Sequence, residues 1–157
     1  MNSDIHIRLG QLLVGKRMTV STAESCTGGM IAHMITSVAG SSAYYEGGAV
    51  SYSNYVKINT LGVNKADIER FGAVSETVVR QMAEGARKVF NTDCAIATSG
   101  IAGPTGGTDD KPVGTTWIAV ATPNGTFSKC CHFGVDRLTN ITESAETAMQ
   151  FLYEKLI

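Results

Sequence analysis

Apolar residues recur along this chain in two rhythms, one helical and one strand-like, and the rhythms alternate. Ile5, Leu9, Leu12 and Leu13 share one face at helical spacing, which predicts an opening helix over residues 3–15, capped by Ser3 or Asp4 and stopped at Gly15. A first strand follows near 18–23 and runs into the polar turn from Thr22 to Gly29. Met30, Ile31, Met34, Ile35 and Val38 again share a face and predict a helix that begins near residue 29. It ends at Ala39-Gly40-Ser41-Ser42, where glycine can take the left-handed C-cap conformation. Residues 43–54 read as a strand with a Gly47-Gly48 irregularity, followed by a short helix carrying Lys57. Asn64 and Gly72 bracket another short helix at 64–71. Ser75 then opens a longer one, whose Val78, Val79, Met82, Ala83, Ala86, Val89 and Phe90 form a continuous apolar stripe. Cys94 to Ala97 is an uninterrupted run of small apolar side chains, as expected of a strand buried on both faces. Two strands near 114–122 and 126–134 are joined through Pro123-Asn124-Gly125, a hairpin turn. Ile141, Ala145, Met149, Leu152 and Leu156 give a closing helix after Asp136-Arg137.

Helices and strands interleave, but the hairpin near 114–134 must be antiparallel, so the expected sheet is mixed. The pattern predicts an α/β fold, a three-layer α/β/α sandwich, with residues 1–157 as a single domain. Both glycine-rich loops, at 24–29 and 98–107, follow strands. In such sheets ligands bind beyond the carboxyl ends of the strands, so two loops on one edge would enclose a polar cleft.

Charge narrows the choice of partners. Thirteen Lys and Arg face 14 Asp and Glu, and a net charge of −1 gives no electrostatic footprint for nucleic acid or for an anionic membrane. Cys26, Cys94, Cys130 and Cys131 form no C-x-x-C pair and read as free thiols in a reducing compartment. His6, His33 and His132 are isolated, which predicts a site without metal. With no long apolar run and no export signal, the sequence predicts a cytoplasmic protein.

The candidate chemistry lies in the turns. Gly100, Gly103 and Gly106 do not make the G-x-G-x-x-G fingerprint, and there is no phosphate loop with its lysine. Tyr52 and Lys57 stand five apart rather than four, which removes support for hydride chemistry. Hydroxyls at Ser25, Thr27, Ser41, Ser42 and Ser99 remain, with one lysine and one tyrosine in turns expected to converge. A serine becomes nucleophilic when a nearby base takes its proton, and a desolvated lysine can be that base, so amide hydrolysis by a Ser–Lys pair is reasonable chemistry. For each serine taken alone the alternative is a cap or turn hydrogen bond, and for Lys57 a solvated charge. At the opening turn, Gly28 and Gly29 would leave helix N–H groups open to an anion, or would serve only packing.

Taken together, Ala23-Glu24-Ser25-Cys26-Thr27-Gly28-Gly29, Gly40-Ser41-Ser42, Val50-Ser51-Tyr52-Ser53-Asn54 with Lys57, Gly72-Ala73-Val74-Ser75, Ser99-Gly100-Ile101-Ala102-Gly103-Pro104 with Gly106-Gly107, and Lys111-Pro112-Val113-Gly114-Thr115 resemble the CinA C-terminal domain family in order and spacing. That family includes nicotinamide-nucleotide amidohydrolases. The resemblance implies hydrolysis of the carboxamide of nicotinamide mononucleotide, without metal or other cofactor, in a dimeric α/β/α domain of the stand-alone form. Carried onto this chain it makes Ser42 the first-choice nucleophile and Ser25 the second, with Lys57 as base and Tyr52 orienting them. Glu24, Thr27, Gly28, Gly29, Ser99, Gly100 and Gly103 would hold the nucleotide or supply N–H groups for the oxyanion, and Arg137 would pair with the phosphate. Two departures stand out: the usual Gly-Asp-Arg appears as Gly134-Val135-Asp136-Arg137, and Asn140 occupies a position where a basic residue is common. A family member of this kind without the activity would be a nucleotide-sensing or partner-binding module.

Overall fold

A computed structural model describes residues 3–157. The helices are α1 (Ile5–Lys16), α2 (Met30–Thr36), α3 (Asn54–Leu61), α4 (Lys65–Phe71), α5 (Glu76–Val89) and α6 (Arg137–Leu156). The strands are β1 (Val20–Glu24), β2 (Tyr45–Val50), β3 (Cys94–Gly100), β4 (Thr115–Thr122) and β5 (Gly125–His132), in one sheet ordered β2-β1-β3-β4-β5. β1 pairs parallel with both β2 and β3, whereas β4 runs antiparallel to β3 and to β5, so the sheet is mixed as expected.

Strand alternation divides the core in two. Cys94, Ile96, Ile118 and Val120 point to one face, where they pack with Ile5, Leu9 and Leu13 of α1, Ile31 and Ile35 of α2, and Met149 and Leu152 of α6. Ala95, Ala97, Ala119 and Ala121 point to the other, against Val78, Val79 and Met82 of α5 and Leu61 of α3. An alanine face lets α5 lie close to the sheet. The tightest contact on that side is at Gly85, where a Cβ would meet the Leu61 carbonyl at 1.9 Å, so glycine there allows the end of α3 to dock on α5.

Several boundaries differ from the sequence expectation for local reasons. α1 passes through Gly15 and stops at Arg17, whose φ of 55° is left-handed and whose N–H returns to Leu13 and Val14. α2 closes at Thr36, where the Thr36 hydroxyl binds the Ala32 carbonyl at 2.8 Å and the Ser37 hydroxyl binds Met34 at 2.7 Å. Such hydroxyls compete with helix propagation. Ser41–Ala43 forms one turn of 3₁₀ helix, where the end of the preceding helix and the first residue of a strand were expected. The irregularity in β2 falls at Glu46, since Val20 pairs with Tyr45 but Ser21 pairs with Gly47.

Asn64, Ser75 and Asp136 each accept a backbone N–H through the side chain at the start of α4, α5 and α6, the first two as predicted. Among the described residues no helix is long and apolar enough to cross a membrane. The carboxyl ends of β1, β2 and β3 lie on the same sheet edge, and the loops that carry Ser25, Ser51 and Ile101 leave from it.

Candidate active site

Lys57 is the site's centre. The Ser53 hydroxyl accepts the Val56 N–H at 3.2 Å and starts α3, which turns Lys57 inward until it is 1% exposed. Its Nζ donates to the Ser51 carbonyl at 2.7 Å and to Ser25 Oγ at 3.0 Å, with the Tyr52 carbonyl at 3.5 Å. Burial disfavours the ammonium and lowers the Lys57 pKa to about 8, a shift that the Cys26 side chain partly opposes. Among the described residues the ion pairs are Arg8–Asp4 and Lys65–Glu69, so no carboxylate neutralises Lys57. A neutral amine has two N–H donors and one lone pair. The ammonium donates to both carbonyls and to Ser25 Oγ; once it is neutral, its two N–H donors can stay on the carbonyls and its lone pair is left to accept from the Ser25 hydroxyl.

Ser25 is the first residue beyond β1. Its N–H donates to the Thr98 carbonyl at 3.1 Å and its carbonyl accepts from Gly28 N at 3.0 Å, which fixes the turn. The hydroxyl faces a cleft of about 350 Å³ whose lining includes Tyr52, Lys57, Ser99, Gly103 and Arg137. Ser99 is 1% exposed, and its Oγ donates to the Ala73 carbonyl at 2.8 Å. Arg137 spans the mouth of the cleft, donating to the Gly103 carbonyl at 2.6 Å and to the Tyr52 hydroxyl at 3.1 Å. Cys26 also lines the cleft, but burial pushes its thiol up to about 11, so it stays protonated beside Thr116 and Thr98. Among the described residues no group of three or more His, Cys, Asp or Glu is placed to hold a metal ion.

The structure joins Lys57 with Ser25 and does not join it with Ser42. Ser42 is exposed in the 3₁₀ turn ahead of β2, at the amino edge of the sheet, whereas Ser25 lies at the carboxyl edge. The parallel register Val20↔Tyr45 and Glu24↔Val50 sets the length of β2 between the two serines. At about 3.3 Å per residue that is roughly 15 Å.

Glu24, Thr27, Gly28 and Gly29 are likewise outside the cleft lining. The buried Glu24 carboxylate accepts the Thr27 hydroxyl at 2.6 Å, Ile31 N at 2.9 Å and Ala32 N at 3.0 Å. The protein's own carboxylate therefore occupies the start of α2, where an anion was expected. Gly28 and Gly29, with φ of 59° and 103°, carry the turn around that carboxylate.

Sequence reasoning gave no role to Ser51, Asn54, Thr105 or Asn140. Asn54 and Thr105 line the cleft. Asn140, noted only as a departure, donates to the carbonyls of Ala102 at 2.9 Å and Gly134 at 3.1 Å and accepts Gly134 N at 2.9 Å. It thereby clasps the 101–104 loop to the segment before α6. The extra residue in Gly134-Val135-Asp136-Arg137 lies in the segment that Asn140 clasps and was the available signal there.

The sequence profile of the CinA C-terminal domain matches residues 2–156. A protein named nicotinamide-nucleotide amidohydrolase PncC, from Shigella flexneri, is 46% identical over 153 residues, covering 96% of this chain and 92% of that protein. A CinA-like protein of Flavobacterium psychrophilum is 44% identical over 98% of this chain but only 37% of its own length. One from Shewanella piezotolerans is 51% identical over 89% of this chain and 33% of its own length. The chain thus spans about a third of these CinA-like relatives. Among solved structures, the competence/damage inducible protein CihA from Agrobacterium tumefaciens has a TM-score of 0.91 at 38% identity, covering 98% of this chain and 96% of that one. A CinA superfamily protein from Klebsiella pneumoniae has a TM-score of 0.94 at 35% identity, with the same coverage.

Proposed function

The chain belongs to the CinA C-terminal domain family, and we propose that it is a nicotinamide-nucleotide amidase that uses Ser25 as nucleophile and Lys57 as base. The observation that carries this reading is the buried 3.0 Å contact between Lys57 Nζ and Ser25 Oγ, with no carboxylate to hold the lysine charged. The near full-length PncC relative supports the choice of substrate, nicotinamide mononucleotide.

In the reaction, the neutral Lys57 amine takes the Ser25 proton as Oγ attacks the carboxamide carbon. The resulting ammonium donates that proton to the departing nitrogen, the C–N bond breaks, and ammonia leaves an ester on Ser25. Water then attacks the ester with Lys57 again accepting a proton, which it returns to Ser25 Oγ as the acyl C–O bond breaks and nicotinate mononucleotide is released. Tyr52 and Arg137 form the far wall, where the guanidinium can exchange its contact with Tyr52 for the nucleotide phosphate. Ser99, Gly100 and Gly103 line the cleft on the side where the oxyanion or ribose would lie. Glu24, Thr27, Gly28 and Gly29 act behind this wall by shaping the Ser25 turn.

The test is ammonia release from nicotinamide mononucleotide by the purified protein with chelator present. Release that is lost in Ser25→Ala supports the reading. Saturable nucleotide binding without release would assign the chain to nucleotide sensing. Release that disappears with chelator and returns with zinc would refute the metal-free Ser/Lys mechanism. The family resemblance further supports a homodimer, and β5 is an edge strand with one side of its backbone unpaired.

A further inference from the structure

The amine of Lys57 does not find Ser25 through α3 alone. Ser51, fully buried, is the first residue beyond the β1–β2 ladder, and both its N–H (2.7 Å) and its Oγ (3.1 Å) donate to one acceptor, the Glu24 carbonyl. That carbonyl is bonded directly to the Ser25 nitrogen. The Ser51 carbonyl in turn accepts Lys57 Nζ at 2.7 Å, the shortest contact that the lysine makes. Covalent and hydrogen bonds therefore form a closed loop: Ser25, the Glu24 carbonyl, Ser51, Lys57 Nζ and Ser25 Oγ.

We propose that Ser51 is a positioning residue whose hydroxyl locks the 51–52 peptide against β1, so that its carbonyl holds the Lys57 amine at Ser25. The inference rests on the Ser25–Lys57 reading of the site. The backbone bond, from the Ser51 N–H, holds only the 50–51 peptide, and leaves the 51–52 peptide free to tilt about Ser51. The second bond, from the hydroxyl, uses the carbonyl's other lone pair and removes that freedom. Without it the Ser51 carbonyl swings, the amine loses its fixed acceptor, and solvent reaches Lys57 through the cleft that it already lines. Among the described residues, the other titratable or charged groups that line the cleft with the amine are Cys26 from the β1–α2 turn, Tyr52 from the β2–α3 loop and Arg137 from α6. None of them is altered by the substitution.

The experiment compares wild type, Ser51→Ala and Ser51→Thr, the last of which keeps a hydroxyl. Two measurements are made on each. The first is the titration of the Lys57 side chain by NMR on protein carrying ¹³C-labelled lysine, assigned with Lys57→Met, which needs no turnover. The second is the pH profile of ammonia release from nicotinamide mononucleotide. In Ser51→Ala the Lys57 midpoint is expected to move up from about 8 toward the ordinary lysine value. The kcat is expected to fall about tenfold with KM nearly unchanged, and Ser51→Thr to restore both toward wild type. A Lys57 midpoint that is the same in Ser51→Ala and wild type, in folded protein, overturns the inference whatever the activity. A shifted midpoint in a protein whose wild type releases no ammonia keeps the positioning role and removes the proposed substrate.

Discussion

Lys57 meets Ser25 across 32 positions of sequence because β2 lies parallel to β1 and both strands end on the same edge of the sheet. The short helix α3 then folds the lysine back over that edge. The contact is thus a product of topology. It is made at a position where burial, rather than a charged neighbour, sets the lysine's protonation.

The first prediction concerns pH. Below about 8 the buried amine is protonated and cannot take the Ser25 proton, so kcat should rise with a midpoint near pH 8 and then level. The same group affects stability. Its pKa is lower in the folded chain than in the unfolded one, so between about 8 and 10.5 the unfolded state binds more protons. Wild-type stability should therefore gain on that of Lys57→Met as pH rises through this window, and show no such gain below it. Thermal melts of the two proteins at pH 7, 8.5 and 10 read this difference, and kcat of Lys57→Met should be down by roughly 10² or more.

The second prediction separates two serines. Ser25→Ala should eliminate turnover and any trapped ester, because the attacking oxygen is gone. Ser42→Ala should keep near-normal kcat and KM, since Ser42 is solvent-exposed at the opposite edge of the sheet. Mass spectrometry of the protein quenched during turnover should find the acyl adduct on the Ser25 peptide. An adduct on the Ser42 peptide would reverse the assignment.

How much of this was legible in the sequence follows from the range of the interactions involved. The helices α4, α5 and α6 were readable because their starts are local: Asn64, Ser75 and Asp136 each bind an N–H three residues on. The mixed sheet followed from the Asn124-Gly125 turn. Lys57 and Ser25 were both visible as candidates, but their partnership depends on the β1–β2 register, and a bulge at Glu46 shifts that register by one residue. Neither feature leaves a periodic signal. Glu24 was misleading for a different reason: an acid just before a Thr-Gly-Gly turn reads equally as a ligand contact or as a carboxylate turned back onto the following helix. Only the fold shows it bonded to Ile31 and Ala32.

The third prediction is about the phosphate. Arg137→Ala should raise KM with kcat little changed, because the phosphate is present throughout the reaction and its contact is uniform binding. Loss of a charge-assisted contact corresponds to about 1.5–3 kcal/mol, or roughly one to two decades in KM. Arg137 also ties Tyr52 to Gly103, so a second measurement is useful: the nucleoside that lacks the phosphate, nicotinamide riboside, should show a much smaller change in KM. Equal losses on nucleotide and nucleoside would mean that the arginine serves only to hold the loop.

A fourth prediction addresses assembly. If the family resemblance extends to quaternary structure, sedimentation equilibrium at micromolar concentration should give a mass near twice the 16.6 kDa of the chain. A mass equal to that of one chain would exclude the homodimer.

The last prediction concerns the carboxylate that fills the start of α2. Glu24 is 1% exposed and accepts three hydrogen bonds: two from backbone N–H groups at the start of α2 and one from the Thr27 hydroxyl. In Glu24→Gln the amide oxygen can serve one side of that set, but the NH₂ group must face a backbone donor, leaving a buried N–H without an acceptor. Such an orphan costs about 1–3 kcal/mol, so the variant should melt measurably lower than wild type. If Glu24 bound the nucleotide, the same change would also raise KM. If it shapes the turn, KM should stay near the wild-type value while the folded protein remains. Measuring KM well below the variant's melting temperature separates the two. A rise in KM without loss of stability would return Glu24 to the binding site and mean that the carboxylate leaves α2 when substrate arrives.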